Sequence, residues 1–251
     1  MLVAREQLSA MVERILARQG VPEAHARIQA NLFIGADMRG TASHGLLRLR
    51  LIVERLKLGL AVAGETGKQD WTARSFLSVD GRRGLGPVVA LAALDAVIPR
   101  ARETGIAIAA VRNANHLGAI AFYADYVARQ GLTVIALTIS EALVHPFGGR
   151  KAMIGTNPIA IGVPADPTPM VLDMATGLVS MGKIHDHASR DAPLPEGWAL
   201  DAEGNPTTDA MAAKDGAIAP FGGAKGYALG LAFEVLVASL AESAIGNGVQ
   251  G

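Results

Sequence analysis

The chain has 251 residues, half of them hydrophobic, with 23 lysines and arginines against 23 aspartates and glutamates and no cysteine. That length can bury a large core, as one domain or two. The balanced charge gives nucleic-acid binding no electrostatic support, and the lack of cysteine excludes disulfides, zinc–thiolate centres and with them the secreted disulfide-rich class.

The opening segment MLVAREQLSAMVERILARQG is amphipathic and lacks the uninterrupted apolar core and cleavage site of a signal peptide. Leu8, Met11, Val12, Ile15 and Leu16 recur at helical spacing within residues 5–19, and Gly20 stops the run. Pro22 suits the first turn of a second helix running towards Arg39. A third helix is predicted from about Ser43, carrying Leu47, Leu51, Ile52 and Leu56 and ending before Gly59.

Beyond this the pattern alternates. Ser75–Asp80 reads as a strand, GRRGLGP as a turn and Val88–Glu103 as a helix with Pro99 near its end. Ile106–Val111 and Leu132–Ile139 are continuous apolar runs of the kind found in buried strands, with a helix over Ala119–Arg129 between them. Ile159–Val163 and Met170–Asp173 are further strand candidates. Residues 185–220 are predicted to be a long loop with little core of its own. A strongly apolar helix, roughly Lys225–Ser243, closes the chain. Phe221–Ala244 comes nearest to the roughly 18–20 apolar residues of a membrane span, but Lys225 and Glu234 interrupt it. The expectation is a cytoplasmic, soluble protein with no membrane partner. Its helical N-terminal region covers residues 1–70, followed by an α/β domain over 71–251.

Familiar nucleotide motifs fail here. Gly81-Arg82-Arg83-Gly84-Leu85-Gly86 follows a strand, but its spacing is not G-x-G-x-x-G, and a tight turn is the better reading. Gly177–Lys183 fits G-x-x-x-x-G-K, yet Ile184 stands where Mg²⁺ needs a hydroxyl. His185-Asp186-His187 are consecutive and rarely converge on one ion, so a solvated loop is expected and no metal site. Ser43 lies outside G-x-S-x-G, which argues against a serine hydrolase.

The strongest chemical signal is Met38–Leu49, where Ser43 and His44 sit at a glycine-flanked break and Arg48 follows four residues on. On one helix, residues four apart share a face. His44 and Arg48 would then point into one pocket, the imidazole giving or taking a proton and the guanidinium gripping a carboxylate. That kit suits a small 2-oxo or 2-hydroxy acid; the competing reading is a helix junction with a buried histidine and a snorkelling arginine. Asn113-Ala114-Asn115-His116-Leu117-Gly118 follows a strand and opens a helix, either as an anion-receiving N-terminus or as a capping turn. Gly148–Pro158 sets Arg150 and Lys151 ahead of a strand, and Val171–Gly177 ends one with a carboxylate and a hydroxyl. Phe221–Gly226 puts Lys225 at a helix start, where the dipole also favours an anion.

Taken in order, RGTASHGLLRL, NANHLGAIAFYA, GGRKAMIGTNPIAIGVP, VLDMATG, PEGWALDAEGNPTTD and PFGGAKGYALGLAFEVL resemble the type 2 malate/L-lactate dehydrogenase family over nearly the whole chain. That family includes sulfolactate and ureidoglycolate dehydrogenases, a diketogulonate reductase and cyclic-ketimine reductases. The resemblance implies an NAD- or NADP-dependent oxidoreductase acting on a small carboxylate substrate, usually as a homodimer. It also implies a non-Rossmann, mixed-sheet cofactor domain of the L-sulfolactate dehydrogenase-like type.

By the same resemblance His44 is the proton donor with Ser43 beside it, and His116 is the rival for that role. Arg48, Thr156, Met181 and Gly182 fall on substrate positions. His116, Leu117, Gly118, Ala119, Ile120, Ser140, Asp173, Met174, Ala175 and Lys225 fall on cofactor positions. The ketimine reductases carry an aspartate where this chain has Lys183, which favours a 2-oxo acid over an imine. The alternatives are a pyrroline- or piperideine-2-carboxylate reductase, a ureidoglycolate-type dehydrogenase, or an inactive homologue. Family members continue past Gly251, so the resemblance implies a cofactor domain truncated at its C-terminal end.

Overall fold

The computed structural model describes residues 3–249. Helices α1 (Arg5–Ala17) and α2 (Glu23–Met38) pack together through Val12 and Leu16 on one side and Ala26, Ala30, Phe33 and their neighbours on the other. The third helix begins later than its apolar spacing predicts. Two short 3-10 turns, Ala42–His44 and Leu46–Arg48, precede α3 (Leu49–Lys57). The break has a local cause. Gly45 adopts φ −89° and ψ −148°, and the Asp37 carboxylate of α2 accepts a hydrogen bond from Leu46 N at 3.1 Å. A Cβ on Gly45 would collide with that carboxylate. His44 and Arg48 therefore stand on separate turns rather than on one helix face.

The first sheet has the order β1 (Lys68–Ala73), β2 (Phe76–Asp80), β3 (Ile108–Arg112). β1 runs antiparallel to β2, while β3 is parallel to it, as the crossover helix α4 (Gly86–Thr104) requires. Leu77 and Val79 from the sheet meet Val89, Ala93 and Val97 from α4 in a buried cluster. β1 is almost wholly exposed, so it carries no alternating apolar signal and its sequence gives no strand prediction. Helix α5 (Ala121–Ala128) buries Tyr123, Ala124, Val127 and Ala128.

A second sheet has the order β4 (Val134–Leu137), β5 (Ile159–Val163), β6 (Met170–Met174). The chain forms two compact units, Met1–Val134 with Gly162–Val171 and Ile135–Ile161 with Leu172–Gly251. By contacts, the N-terminal helices thus group with the first sheet.

Residues 185–220 are not a structureless loop. This region belongs to a folded segment comprising α6 (Met181–Ser189), β7 (Ala199–Leu200), β8 (Pro206–Thr207), α7 (Ala210–Ala213) and β9 (Ala217–Ile218), with strand order β8-β7-β9. Ile184, Leu194, Ala199, Ala210, Ala213 and Ile218 share one buried core. The elements are too short to show a period, and side-chain caps set them instead: Ser180 Oγ accepts from Lys183 N, and Asp209 Oδ1 from Met211 N at 2.8 Å. His185-Asp186-His187, read as a solvated loop, lies on α6.

Helix α8 (Ala224–Ala241) is the one helix among the described residues that is long and apolar enough, by length and composition, to cross a membrane. Glu234 is 1 % exposed within it. Its carboxyl accepts from Gly155 N at 3.2 Å, Asn157 Nδ2 at 2.5 Å and Gly246 N at 2.7 Å, so this face of α8 is packed against the second unit's own backbone.

Candidate active site

The first unit brings Ser43, His44, Arg48 and His116 together. The rings of His44 and His116 stack with centroids 5.6 Å apart and planes 28° from parallel. Ser43 Oγ lies 3.0 Å from His44 Nδ1, a hydrogen bond whose direction depends on the tautomer. Arg48 Nε donates to Ser43 O at 2.8 Å, folding the arginine back over the turn that bears His44. The helical i,i+4 geometry expected from sequence is replaced by this backbone anchor.

His116 is held in one tautomer. Its Nδ1 accepts from Gly118 N at 3.0 Å, which puts the proton of the neutral ring on Nε2. The pKa of His116 is pushed down to about 4, first by desolvation, then by the positive charges of Arg48, His44 and Arg55. His116 is exposed to solvent, which softens the desolvation part, while the Arg48 and Arg55 guanidiniums push in the same direction. Near neutral pH the His116 ring is therefore uncharged. Gly118, at φ +75°, is in the left-handed region, and a Cβ there would collide with Leu32. Leu117 O accepts from the buried Tyr123 hydroxyl, and Ala119 and Ile120 lead into α5.

In the second unit Ser140 Oγ accepts from Thr156 N at 3.2 Å, so these two predicted residues meet. Thr176 Oγ1 donates to Thr156 O at 3.0 Å from the segment that follows β6. Asp173 and Met174 end β6, exposed, with Ala175 next. Met181 and Gly182 occupy the first turn of α6. Lys225 is exposed in the first turn of α8.

The start of α8 suits an anionic group such as a cofactor phosphate. Helix α8 starts at Gly223, φ +63°, with no side-chain cap, no acidic residue in its first turn and a lysine there. Its unsatisfied N–H groups and Lys225 form a donor set complementary to phosphate. The space beside Gly222 is open.

Sequence reasoning did not single out Asp37, Arg55 or the buried side chain of Asn115, and took Glu234 only as a charge interrupting an apolar run. Asn115 stands inside a quoted motif, but its partners lie 31 to 60 residues away. No local pattern announces them.

In the first unit, a histidine pair with one neutral member and an arginine folded over the adjoining turn suit proton transfer beside a carboxylate. The family model described as malate/L-lactate dehydrogenase matches residues 3–251. The malate/(S)-sulfolactate dehydrogenase of Methanothermus fervidus is 36 % identical over all of this chain and 74 % of its own length. Among solved structures, a dehydrogenase from Sinorhizobium meliloti superimposes with a TM-score of 0.97 at 54 % identity, covering 100 % of this chain and 74 % of that one. The Δ1-piperideine-2-carboxylate reductase of Pseudomonas syringae pv. tomato gives 0.92 at 32 % identity, covering 98 % and 74 %. The chain belongs to the malate/L-lactate dehydrogenase family, and it is an NAD(P)-dependent dehydrogenase.

Proposed function

We propose that this chain interconverts a small 2-oxo acid and its 2-hydroxy acid, of the malate, lactate or sulfolactate type, with His44 as the principal acid–base group. Family membership makes it an NAD(P)-dependent 2-hydroxy-acid dehydrogenase. When bound, a nicotinamide would supply the hydride for C2, or accept it in the reverse direction. Arg48 pairs with the substrate carboxylate, for which the planar guanidinium offers two parallel donors. His44 gives its proton to the C2 oxygen as negative charge develops there, and takes it back in the reverse direction. Neutral His116 offers its Nε2–H as a hydrogen-bond donor. Ser43 holds the His44 ring through Nδ1.

The observation that carries this reading is the stacked His44–His116 pair beside Arg48, in which desolvation first and the neighbouring positive charges next keep His116 neutral. Thr156, Met181 and Gly182 are assigned to the substrate. His116–Ile120, Ser140, Asp173, Met174, Ala175 and Lys225 are assigned to the cofactor. The absence of a G-x-G-x-x-G turn supports a non-Rossmann cofactor domain. A homodimer in the cytoplasm completes the proposal.

The likeness to a piperideine-carboxylate reductase supports a second reading, a cyclic-ketimine reductase. Lys183, exposed on α6, speaks for the first. Oxidation of NADH and NADPH is measured against a panel of 2-oxo acids, pyrroline-2-carboxylate and piperideine-2-carboxylate. The expected result is turnover of the acids; turnover of the imines alone, or of nothing, overturns the proposal.

A further inference from the structure

The Gly81–Gly86 turn is not used by any step above, yet it is built at high conformational cost. Arg82 and Arg83 both take left-handed backbone, at φ 47° and 62°, which L side chains adopt reluctantly. The hydrogen bonds of this turn lead to the segment that ends at His116. Gly81 N donates to Arg112 O at 2.7 Å and Arg83 N to Asn113 O at 2.7 Å, while Asn115 N donates to Gly84 O at 3.0 Å. Glycine is required on the facing side as well. A Cβ at Gly86 would strike the carbonyl oxygens of both Asn115 and His116, and one at Gly81 would press on Ala114 at 3.0 Å.

Asn115 is 6 % exposed and its amide is used at both ends. Nδ2 donates to Arg83 O at 2.7 Å and Gly84 O at 3.2 Å, with Leu60 O at 3.4 Å. Oδ1 accepts from Arg55 Nε at 2.7 Å. One side chain thus ties α3, the strained turn and the residue before His116 into a single node. This bond also fixes Arg55, one of the cations that hold His116 neutral.

We infer that Asn115 is a positioning residue: clamped by Arg55 and by the Gly81–Gly86 turn, it fixes the backbone from which His116 stacks on His44. The inference rests on the reading of the histidines as the acid–base pair, and its test is read on the ring rather than on turnover. The His116 imidazole is followed by NMR against pH in the parent protein, in Asn115→Ala and in Arg55→Gln. The parent ring is expected to titrate near pH 4. In Asn115→Ala the midpoint should rise by about one unit or more, because the ring loosens and Arg55 loses its anchor. Arg55→Gln keeps a donor for Oδ1 but removes the charge, so it should raise the midpoint by less and conserve the fold. Arg55→Gln thus measures the charge alone: if folded Asn115→Ala titrates as the parent does, or rises no further than Arg55→Gln, Asn115 merely supports the structure and the inference is overturned. Where Asn115→Ala fails to fold, Asn115→Ser, which keeps a small polar side chain but cannot span from Arg55 to the turn, takes its place under the same criterion. An inactive parent, or an unchanged kcat in His44→Asn, would refute the catalytic reading while leaving this titration measurable.

Discussion

In the first unit, His44, Arg48 and His116 keep part of their surface open, and positive charges crowd one imidazole. In the second, Glu234 and Asn157 are 1 % and 0 % exposed, and nearly every polar atom they carry is matched. Asn157 Nδ2 donates to Gly230 O at 3.0 Å and to Glu234, whose carboxyl also takes two backbone N–H groups. The first holds groups that oppose one another and retain capacity for a ligand, which is the signature of a working site. The second satisfies its groups internally, with Asn157 Oδ1 as the exception, and spends them on the Gly155–Asn157 turn.

The sharpest way to break this contrast is to change one residue in each region. His44→Asn removes the proton donor but leaves a polar side chain of similar reach. It should lower kcat about 10²–10⁴-fold while NADH binding, followed by fluorescence, is retained. Glu234→Ala leaves the buried Gly155 N–H without its acceptor, strips one of the two acceptors of Asn157 Nδ2 and the partner of the part-buried Gly246 N–H, and opens a hole in α8. It should cost about 3 kcal/mol of stability in denaturant unfolding, with a far smaller change in kcat. Collapse of kcat at full stability in Glu234→Ala would put the second cluster into the chemistry and erase the distinction.

Much of this contrast was legible in the sequence, though unevenly. The strands around Phe76–Asp80 and Ile159–Val163, and helix α4, follow from apolar period and turn residues because their cores are local. The nearness of Ser43, His44 and Arg48 was also legible, but for a reason the structure replaces: a glycine break capped by Asp37, not one turn of helix. Residues 185–220 were misread because elements of 2 to 9 residues leave no period to find. Glu234 read as a charge interrupting an apolar helix. Its acceptor role depends on Gly155, 79 residues away, a pairing that only the folded chain supplies.

A smaller effect sharpens the first region from the substrate side. Arg48→Met keeps the stem and removes the fork. Losing a charge-assisted pair worth about 1.5–3 kcal/mol should raise KM for the 2-oxo acid roughly 10–100-fold. Neutral ketones should show no such change; an equal rise with them would deny Arg48 its carboxylate.

The smallest expected effect concerns the proton that His116 refuses. Its folded pKa, about 4, lies below the ordinary value of 6.5. Between these values the unfolded chain binds a proton that the folded chain does not, so acid favours unfolding. Stability should therefore be undiminished by this group above pH 6.5 and should fall as pH drops towards 4. The solvent exposure of His116 keeps the effect modest, since water screens part of the penalty. Denaturant midpoints of the parent and of His116→Gln, measured across that window, isolate the contribution. The parent should lose more stability than the variant on acidification, because only the parent has a ring whose protonation the cations of this site oppose. Equal losses would mean that His116 titrates freely, and the reason for taking its ring as neutral would go with it.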